Sequence, residues 1–143
     1  MSISGAVLAA GLGTRLRPLT HSCPKPLVPI AGRPLLRYCI DHLHRLGIDT
    51  IGVNSFHLAN QVDDYTSSLN SDIFVVEEDK LQGTGGGIRG IARKNPNSTL
   101  VVINGDALFD FDIKPALEKH RNSGAMGTLL LRYVEPDAPF GRV

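Results

Sequence analysis

The chain has 143 residues, which is enough for one domain with a buried core. Its composition, 42% hydrophobic and 20% charged residues, is that of an ordinary soluble globular protein. The formal net charge of +1 provides no long-range field that would gather nucleic acid or an anionic membrane, so we expect neither as a partner. Any bound anion must therefore be held by local geometry.

The cysteines and the absence of apolar segments indicate where the protein functions. Cys23 and Cys39 form neither a C-x-x-C pair nor a disulfide framework, which favours a reducing compartment. The first residues lack the cationic region of a signal peptide, and the apolar run 6–10 is too short for its hydrophobic core. No segment approaches the ~18 apolar residues that span a bilayer. We therefore expect a cytoplasmic protein.

Short apolar runs rich in branched residues alternate with stretches of helical period. The runs predict strands at residues 4–9, 50–54, 72–77, 99–104 and 127–133. The periodicity predicts helices from Pro34 to Gly47, over 86–94 and over 112–124, and another with one apolar face made of Leu58, Val62, Tyr65 and Leu69. This alternation is typical of α/β proteins with a mainly parallel sheet, whose ligands bind at the carboxyl ends of the strands.

The first predicted strand is followed by a loop of small residues, Ala9-Ala10-Gly11-Leu12-Gly13-Thr14-Arg15-Leu16. Small side chains and glycines with positive φ let backbone N–H groups converge on an oxyanion, so this loop is predicted to hold phosphates. It is neither a Walker A loop nor a dinucleotide fingerprint, whose third glycine is here Leu16. A tight turn with incidental glycines is the alternative, but it leaves three nearby cations unexplained: Arg15, Arg17 and Lys25.

Lys25 stands between Pro24 and Pro26. The two prolines are expected to hold the backbone extended and to restrict the position of the lysine. A solvated surface lysine is the commoner fate of this residue type. The preceding loop favours instead a lysine directed at an anion.

A second glycine-rich stretch, Leu81-Gln82-Gly83-Thr84-Gly85-Gly86-Gly87-Ile88, follows the third predicted strand. Its glycines allow a flat ring to lie against the backbone, and the Gln82 amide has the donor and acceptor that suit a base edge. Residues 85–90 also match G-x-G-x-x-G, but several residues separate them from the strand. They are not in the first β/α unit, so we do not interpret them as a dinucleotide fingerprint.

The fourth predicted strand ends in Asn104-Gly105-Asp106, which brings a carboxylate to the ligand edge of the sheet. Hard oxygen ligands suit Mg²⁺. A turn or cap is the alternative for an isolated Gly-Asp, and it is the role expected for Asp110 and Asp112. The five histidines show no metal-ligand spacing, and no nucleophile triad can be built from spacing alone.

Together these motifs make the chain similar to the N-terminal part of the sugar-1-phosphate nucleotidyltransferases. The family signature G-x-G-T-R-[LM] followed by P-K-P is matched at residues 11–16 and 24–26, and its F/Y-G-x-V is matched by Phe140-Gly141-Arg142-Val143. Two other motifs of the family have the form Thr-Gly-Gly-Gly at residues 84–87 and Asn-Gly-Asp at residues 104–106. In these forms they most resemble the motifs of N-acetylmuramate-1-phosphate uridylyltransferases and of heptose- or mannose-1-phosphate guanylyltransferases.

The resemblance implies a Rossmann-like three-layer α/β/α fold, with residues 1–143 as the nucleotide-binding half of a nucleotidyltransferase domain that is incomplete at the C-terminus. It implies Mg²⁺-dependent nucleotidyl transfer from a nucleoside triphosphate, with UTP or GTP favoured, to a sugar 1-phosphate. The implied catalytic residues are Arg15, Lys25 and Asp106, with Asp106 also the Mg²⁺ ligand. The implied nucleotide-binding residues are Leu8, Ala9, Ala10, Gly11, Gly13, Thr14, Arg15, Gln82, Gly85 and Asn104.

Two other functions stay open on this sequence. One is a non-catalytic nucleotide-binding or regulatory module of the same fold, which has little need of Lys25 or Asp106. The other is a cytidylyltransferase acting on a phosphocholine-like alcohol phosphate, which differs in its acceptor pocket. A sheet that stops early also leaves an apolar edge, so we expect the chain to form homo-oligomers or to be marginally stable.

Overall fold

The computed structural model describes residues 2–69 and 72–135 of the chain, so the predicted F-G-x-V motif at 140–143 lies outside the described residues. Among the described residues no helix has the length and apolar character needed to cross a membrane. The elements, in chain order, are β1 (Ser2–Leu8), β2 (Pro29–Ile30), β3 (Arg33–Pro34), α1 (Leu35–Arg45), β4 (Ile51–Ser55), α2 (Ala59–Ser67), β5 (Ile73–Glu77), α3 (Gly83–Lys94), β6 (Ser98–Asn104) and α4 (Lys114–Ser123).

Four strands form a parallel sheet in the order β5-β4-β1-β6, and β2 pairs with β3 in a small antiparallel hairpin. Leu8, the last residue of β1, lies opposite Asn54 of β4 and Asn104 of β6. The chain moves outward from β1 to β4 and β5, and then returns to the other side of β1. The strand order therefore reverses between β1 and β6, which is where ligands bind in sheets of this kind.

Helices cover both faces of this sheet. A Cβ on Gly5 would lie 2.6 Å from a Leu43 methyl group of α1, whereas a Cβ on Gly52 would lie 2.5 Å from Ile91 of α3. Since Gly5 is opposite the residue before Gly52, these two positions point to opposite faces. Right-handed crossovers place α2 on the same face as α1. The predicted three-layer α/β/α architecture is confirmed.

The predicted helix over 34–47 is present as α1, and apolar residues spaced three and four apart along it are buried, except Leu46 at its C-cap, which is half-buried. Leu36, Cys39, Ile40 and Leu43 are each at most 1% exposed. Burial of a large aliphatic side chain stabilises the fold by roughly 1.5–3 kcal/mol, so this face anchors the helix on β1, where Leu43 lies against Gly5. The helix begins at Leu35, one residue later than predicted, because the residue before it takes the N-cap position.

The predicted apolar face of α2 is wrong at both ends, because Leu58 precedes the helix and Leu69 follows it. The helix buries Ala59, Val62 and Thr66, whereas Leu58 precedes it with a φ of 53°. Thr66 can be buried because its hydroxyl donates to a backbone carbonyl of the same helix at 3.1 Å. The periodicity of apolar residues could not show this, since the buried position belongs to a polar residue.

The start predicted for α3 is also wrong. The helix begins at Gly83, so the glycine run forms its first turns and not an open loop. Glycine is a poor helix former, with a cost of about 1 kcal/mol relative to alanine. Close packing explains its presence, since a Cβ on Gly87 would lie 2.4 Å from Nδ2 of Asn54. Contact between α3 and β4 therefore outweighs the local propensity.

The chain divides into two units, Met1–Phe109 and Asp110–Val143, and the sheet with α1, α2 and α3 belongs to the first. In the second, α4 ends at Gly124 with a φ of 62°, as predicted. Oδ1 of Asp112 accepts a hydrogen bond from the Lys114 N–H at 3.0 Å, so of the two predicted roles, turn or cap, it has the turn role, and Ile113 is the N-cap residue. The strand predicted over 127–133 is wrong, since the described residues of this unit contain no strand. Branched and leucine residues supply propensity, but a strand also needs a partner for its backbone groups.

Candidate active site

A cleft of about 500 Å³ lies at the carboxyl ends of the strands in the first unit. Its walls come from the segments that follow β1, β5 and β6, from Asn54 near the end of β4, and from the Lys25 loop. It therefore lies at the reversal of strand order between β1 and β6. The lining residues are 8–16, Lys25, Pro26, Asn54, Glu78, Leu81, Gly83, Thr84 and 104–106.

The loop after β1 has the geometry of an anion-binding loop. The Ala9 N–H donates to Oδ1 of Asn54 at 2.7 Å. The N–H groups of residues 10–13, in contrast, have no acceptor within residues 2–69 and 72–135. Gly13 has a φ of 62°, and its carbonyl accepts from the Thr20 hydroxyl at 2.8 Å. Consecutive N–H groups next to a left-handed residue form a concave surface that suits phosphate oxygens.

The two arginines near this loop differ in position. Arg15 lies in the short 3-10 helix Thr14–Leu16 and lines the cleft, where it is exposed to solvent. Arg17 is not among the lining residues. Arg15 is therefore the arginine that can reach a bound phosphate chain.

Lys25 and Asp106, the two residues implied to be catalytic with Arg15, meet in the cleft. Nζ of Lys25 lies 2.6 Å from Oδ2 of Asp106, and the side chains are 25% and 47% exposed. Pro24 is extended as predicted (φ −64°, ψ 143°), but Lys25 begins a 3-10 helix, so the prediction of extended backbone is wrong for the lysine. The helix forms because the Leu27 N–H donates to the Pro24 carbonyl at 2.8 Å.

Gly105 sets the distance between Asp106 and the phosphate loop. Its N–H donates to the Leu8 carbonyl at 2.8 Å, and a Cβ at this position would lie 2.8 Å from the same oxygen. A larger residue would force the ends of β1 and β6 apart. The glycine therefore allows the carboxylate that follows it to lie close to the loop after β1.

Cys39 packs against the turn of residues 104–107, which carries Asp106. Its Sγ lies 3.9 Å from the Asn104 carbonyl and 3.8 Å from the Ala107 carbonyl. Burial raises the pKa of the Cys39 thiol to about 11, and the negative charge of Asp106 adds to this shift. The thiol is therefore neutral near pH 7 and acts in packing, not as a nucleophile.

The oxygen donors of the cleft fit Mg²⁺. Asp106 supplies a carboxylate, and Asn104 supplies an amide at the same edge. The part of the chain that the structure describes holds no group of three or more histidine, cysteine, aspartate or glutamate side chains that could cage a metal. Mg²⁺ commonly uses one or two carboxylates, substrate phosphates and water. The donor set therefore suits a cation that is shared with a phosphate ligand.

Two of the residues predicted to contact the base do not line the cleft. The Gln82 side chain lies over Gly86, and its Oε1 accepts a hydrogen bond from Arg89 at 3.2 Å. Gly85 lies in the first turn of α3, and the neighbouring lining residues are instead Gly83 and Thr84. Contact of Gln82 and Gly85 with a base stays a prediction.

Sequence reasoning missed Asn54 and Glu78. Asn54 is the penultimate residue of β4 and Glu78 directly follows β5, and both are buried in the cleft wall. Nδ2 of Asn54 donates to Oε1 of Glu78 at 2.8 Å. A polar residue at the carboxyl end of an otherwise apolar strand was the available signal, because that position faces the ligand edge.

The fold and the cleft define a class of protein. A doubly wound α/β sheet places an anion-binding loop, a free arginine and a lysine-aspartate pair at its point of strand reversal. This arrangement is typical of α/β domains with a ligand site at the carboxyl ends of the strands, and its charges suit a phosphate-bearing ligand.

Comparison with known proteins gives the family. The family model described as "Nucleotidyl transferase" matches residues 4–143, and the chain belongs to this family. It is 39% identical over 144 residues to mannose-1-phosphate guanylyltransferase of Mycobacterium tuberculosis, covering 99% of this chain and 40% of that protein. It is 37% identical over 142 residues to UTP-glucose-1-phosphate uridylyltransferase of Synechocystis sp., covering 90% of this chain and 37% of that protein.

A solved structure has the same fold. HddC from Yersinia pseudotuberculosis, in complex with GMP-PN, matches with a TM-score of 0.71 and 32% identity. The match covers 82% of this chain and 54% of HddC. The chain spans about two-fifths of the length of the two curated relatives, at 37% and 40%.

Proposed function

We propose that this chain carries the nucleotide-binding part of a sugar-1-phosphate nucleotidyltransferase. The reaction joins a nucleoside triphosphate and a sugar 1-phosphate to give a nucleoside diphosphate sugar and pyrophosphate. One observation carries the proposal. The Lys25-Asp106 pair faces the loop of free N–H groups at the point of strand reversal.

The names of the relatives guide the choice of substrates. One relative is a uridylyltransferase and another a guanylyltransferase, and both names contain a sugar 1-phosphate. We therefore favour UTP or GTP as the nucleotide. We also propose a cytoplasmic location, where the free thiols of Cys23 and Cys39 stay reduced.

The reaction is an in-line displacement at phosphorus. An oxygen of the sugar phosphate forms a bond to the α-phosphorus, and the bond from that phosphorus to pyrophosphate breaks, with the electron pair leaving on pyrophosphate. The second pKa of a phosphate monoester is about 6, so the nucleophile is already largely dianionic at neutral pH. No general base is needed, and no histidine occurs among the described residues that line the cleft.

Catalysis then consists of positioning two polyanions and neutralising their repulsion. The N–H groups of residues 10–13 and the Arg15 guanidinium hold the triphosphate. Lys25 lies between the α-phosphate and the sugar phosphate, where its positive charge stabilises the transition state most. Asp106, with Asn104 nearby, would hold Mg²⁺, which supplies further charge neutralisation at the phosphates when bound.

Pyrophosphate release tests the proposal. Purified chain is incubated with Mg²⁺ and each of UTP, GTP, dTTP, ATP and CTP, against several sugar 1-phosphates and phosphocholine. Lys25→Ala is tested in parallel, and Lys94→Ala, an exposed lysine in the last turn of α3, is the matched control for loss of one positive charge.

Release that requires one nucleotide, one sugar 1-phosphate and Lys25 supports the transferase. Release with CTP and phosphocholine only would assign a cytidylyltransferase instead. Nucleotide binding without any release would contradict catalysis by this chain and would assign a nucleotide-binding module.

A further inference from the structure

Asn54 and Glu78 connect two walls of the cleft that are distant in sequence. The Ala9 N–H donates to Oδ1 of Asn54 at 2.7 Å, Nδ2 of Asn54 donates to Oε1 of Glu78 at 2.8 Å, and the Gln82 N–H donates to Oε2 of Glu78 at 2.9 Å. These three hydrogen bonds run without interruption from the first residue of the phosphate loop to the N-cap residue of α3.

The two side chains are buried and held in place. Asn54 is 3% exposed and Glu78 is 5% exposed. The Glu78 N–H donates to the Ser55 carbonyl at 2.8 Å, and Gly87 of α3 leaves the space that Asn54 occupies. A buried carboxylate is tolerated only when its oxygens accept hydrogen bonds, and here both do. The bonds converge on the Glu78 carboxylate, which accepts from Asn54 on one side and from the Gln82 N–H on the other.

We propose that Asn54 and Glu78 are a positioning pair that fixes the distance between the phosphate loop and the first turn of α3. The inference rests on the proposed function, which assigns the phosphates to the loop after β1, and on the prediction that the segment at the start of α3 contacts the base. The pair acts through the backbone of Ala9 and Gln82, so neither of its side chains is a catalytic residue. Its role is to let one nucleotide occupy both walls of the cleft at once.

The physical reason is preorganisation. A ligand that contacts two walls binds tightly only if their spacing is fixed before it arrives, because ordering the walls on binding costs free energy. A ligand that contacts the phosphate loop alone does not depend on that spacing. Loss of the pair should therefore weaken binding of a whole nucleotide more than binding of inorganic tripolyphosphate.

Two nearly isosteric substitutions break the pair, and together they restore it. Asn54→Asp places two carboxylates against each other, which is unfavourable while both are charged. Glu78→Gln leaves one acceptor oxygen for two donors, so one buried donor loses its partner. In the double variant the new amide can donate to the new carboxylate, and both backbone N–H groups keep an acceptor. The matched control is Asn95→Asp, since Nδ2 of Asn95 donates to the Ser4 hydroxyl at 2.6 Å near the opposite, amino-terminal end of the sheet.

The test is calorimetric titration of the wild-type chain, both single variants, the double variant and the control with UTP, GTP and tripolyphosphate, each with Mg²⁺. The single variants are expected to bind the preferred nucleotide at least about tenfold more weakly, which is the effect of one unpaired buried donor. Tripolyphosphate binding should change little, whereas the melting temperature should fall in each single variant and recover in the double variant, because the buried pair is broken and then restored. The double variant should recover nucleotide affinity to within about threefold of wild type, and the control should match wild type.

Each other outcome overturns the proposal in a recognisable way. An equal loss of nucleotide affinity and tripolyphosphate affinity in the single variants would make the pair merely structural. Unchanged nucleotide affinity in the single variants, or no recovery in the double variant, would refute the pair while leaving the proposed function intact. A wild-type chain that binds no nucleotide at all would overturn the proposed function, and the positioning role with it.

Discussion

Replacing Lys25 by alanine separates two effects of one ammonium group. Its Nζ lies 2.6 Å from Oδ2 of Asp106, with side chains 25% and 47% exposed. An exposed ion pair contributes about 0.2–1 kcal/mol to stability, so Lys25→Ala should lower the free energy of unfolding by no more than about 1 kcal/mol. The effect on catalysis should be much larger, because the lysine's charge is directed at the transition state. By comparison with removal of an oxyanion-hole donor, the substitution should lower turnover by roughly 10²- to 10³-fold, or about 2.7–4 kcal/mol.

The same ion pair engages the carboxylate that we assign to Mg²⁺. A cation can bind Asp106 fully only when Lys25 releases it, so removal of the lysine should tighten divalent-metal binding in the absence of nucleotide. A pair stability of about 0.2–1 kcal/mol corresponds to a gain of about 1.4- to 5-fold in metal affinity. The variant is thus expected to gain metal affinity while it loses turnover, and general damage to the fold would lower both.

Three measurements on wild type, Lys25→Ala and the control Lys94→Ala check this expectation. Electron paramagnetic resonance of free Mn²⁺ gives the metal affinity, pyrophosphate release gives turnover, and denaturant unfolding gives stability. Lys25→Arg should also turn over poorly, because a planar guanidinium does not replace a point charge between two phosphates. Near-wild-type turnover by Lys25→Ala, or weaker Mn²⁺ binding, would refute the reasoning.

Three further predictions concern other parts of the chain. Gly13→Ala places a Cβ at a φ of 62° and 2.8 Å from Cγ2 of Thr20, so we expect a loss of about 1–2 kcal/mol in denaturant unfolding, and an unchanged midpoint would contradict this strain. Because the pKa of Cys39 is raised from 9.0 to about 11, the folded state keeps a proton that the unfolded state loses. The contribution of this thiol to stability should be complete below pH 9 and fall by about 2 kcal/mol as the pH rises to 11, and Cys39→Ala should remove this part of the pH dependence. Leu129 and Leu131 are 70% and 69% exposed, so the chain should associate with increasing concentration in analytical ultracentrifugation. Lysine at both leucines should reduce that association, and a monomer at all concentrations would oppose the prediction.

The sheet could be predicted because its strands are local patterns. Each of the four predicted strands before residue 105 is present, and every end lies within two residues of its predicted position. The fifth, over 127–133, has an equally apolar pattern but pairs with nothing among the described residues. Strand formation depends on a partner strand, and a single sequence does not show whether the partner is available. The early start of α3 could not be predicted either, because it also depends on a tertiary contact. Packing against Asn54 outweighs the poor helix propensity of glycine.

Some residues of the candidate site could also be predicted from the sequence, and others could not. Arg15, Lys25 and Asp106 could be singled out because each follows a recognisable motif, and the structure brings all three to one cleft. The 2.6 Å contact between Lys25 and Asp106 joins residues 81 positions apart, which only the fold reveals. Asn54 and Glu78 carry no motif at all. Their importance lies in matched donors and acceptors across two strands, and a sequence without its register does not contain that information.

The charges of the cleft determine which form of nucleotide it fits. Arg15 and the free N–H groups attract a polyphosphate, whereas Asp106 repels it as soon as Lys25 turns toward the ligand. A divalent cation that arrives with the nucleotide removes this conflict, because it pairs with Asp106 while Lys25 pairs with phosphate. One internal ion pair is thereby exchanged for two pairings with the ligand. The net charge of +1 is consistent with this local exchange, since recognition of a metal-nucleotide complex requires no excess of positive charge over the whole chain.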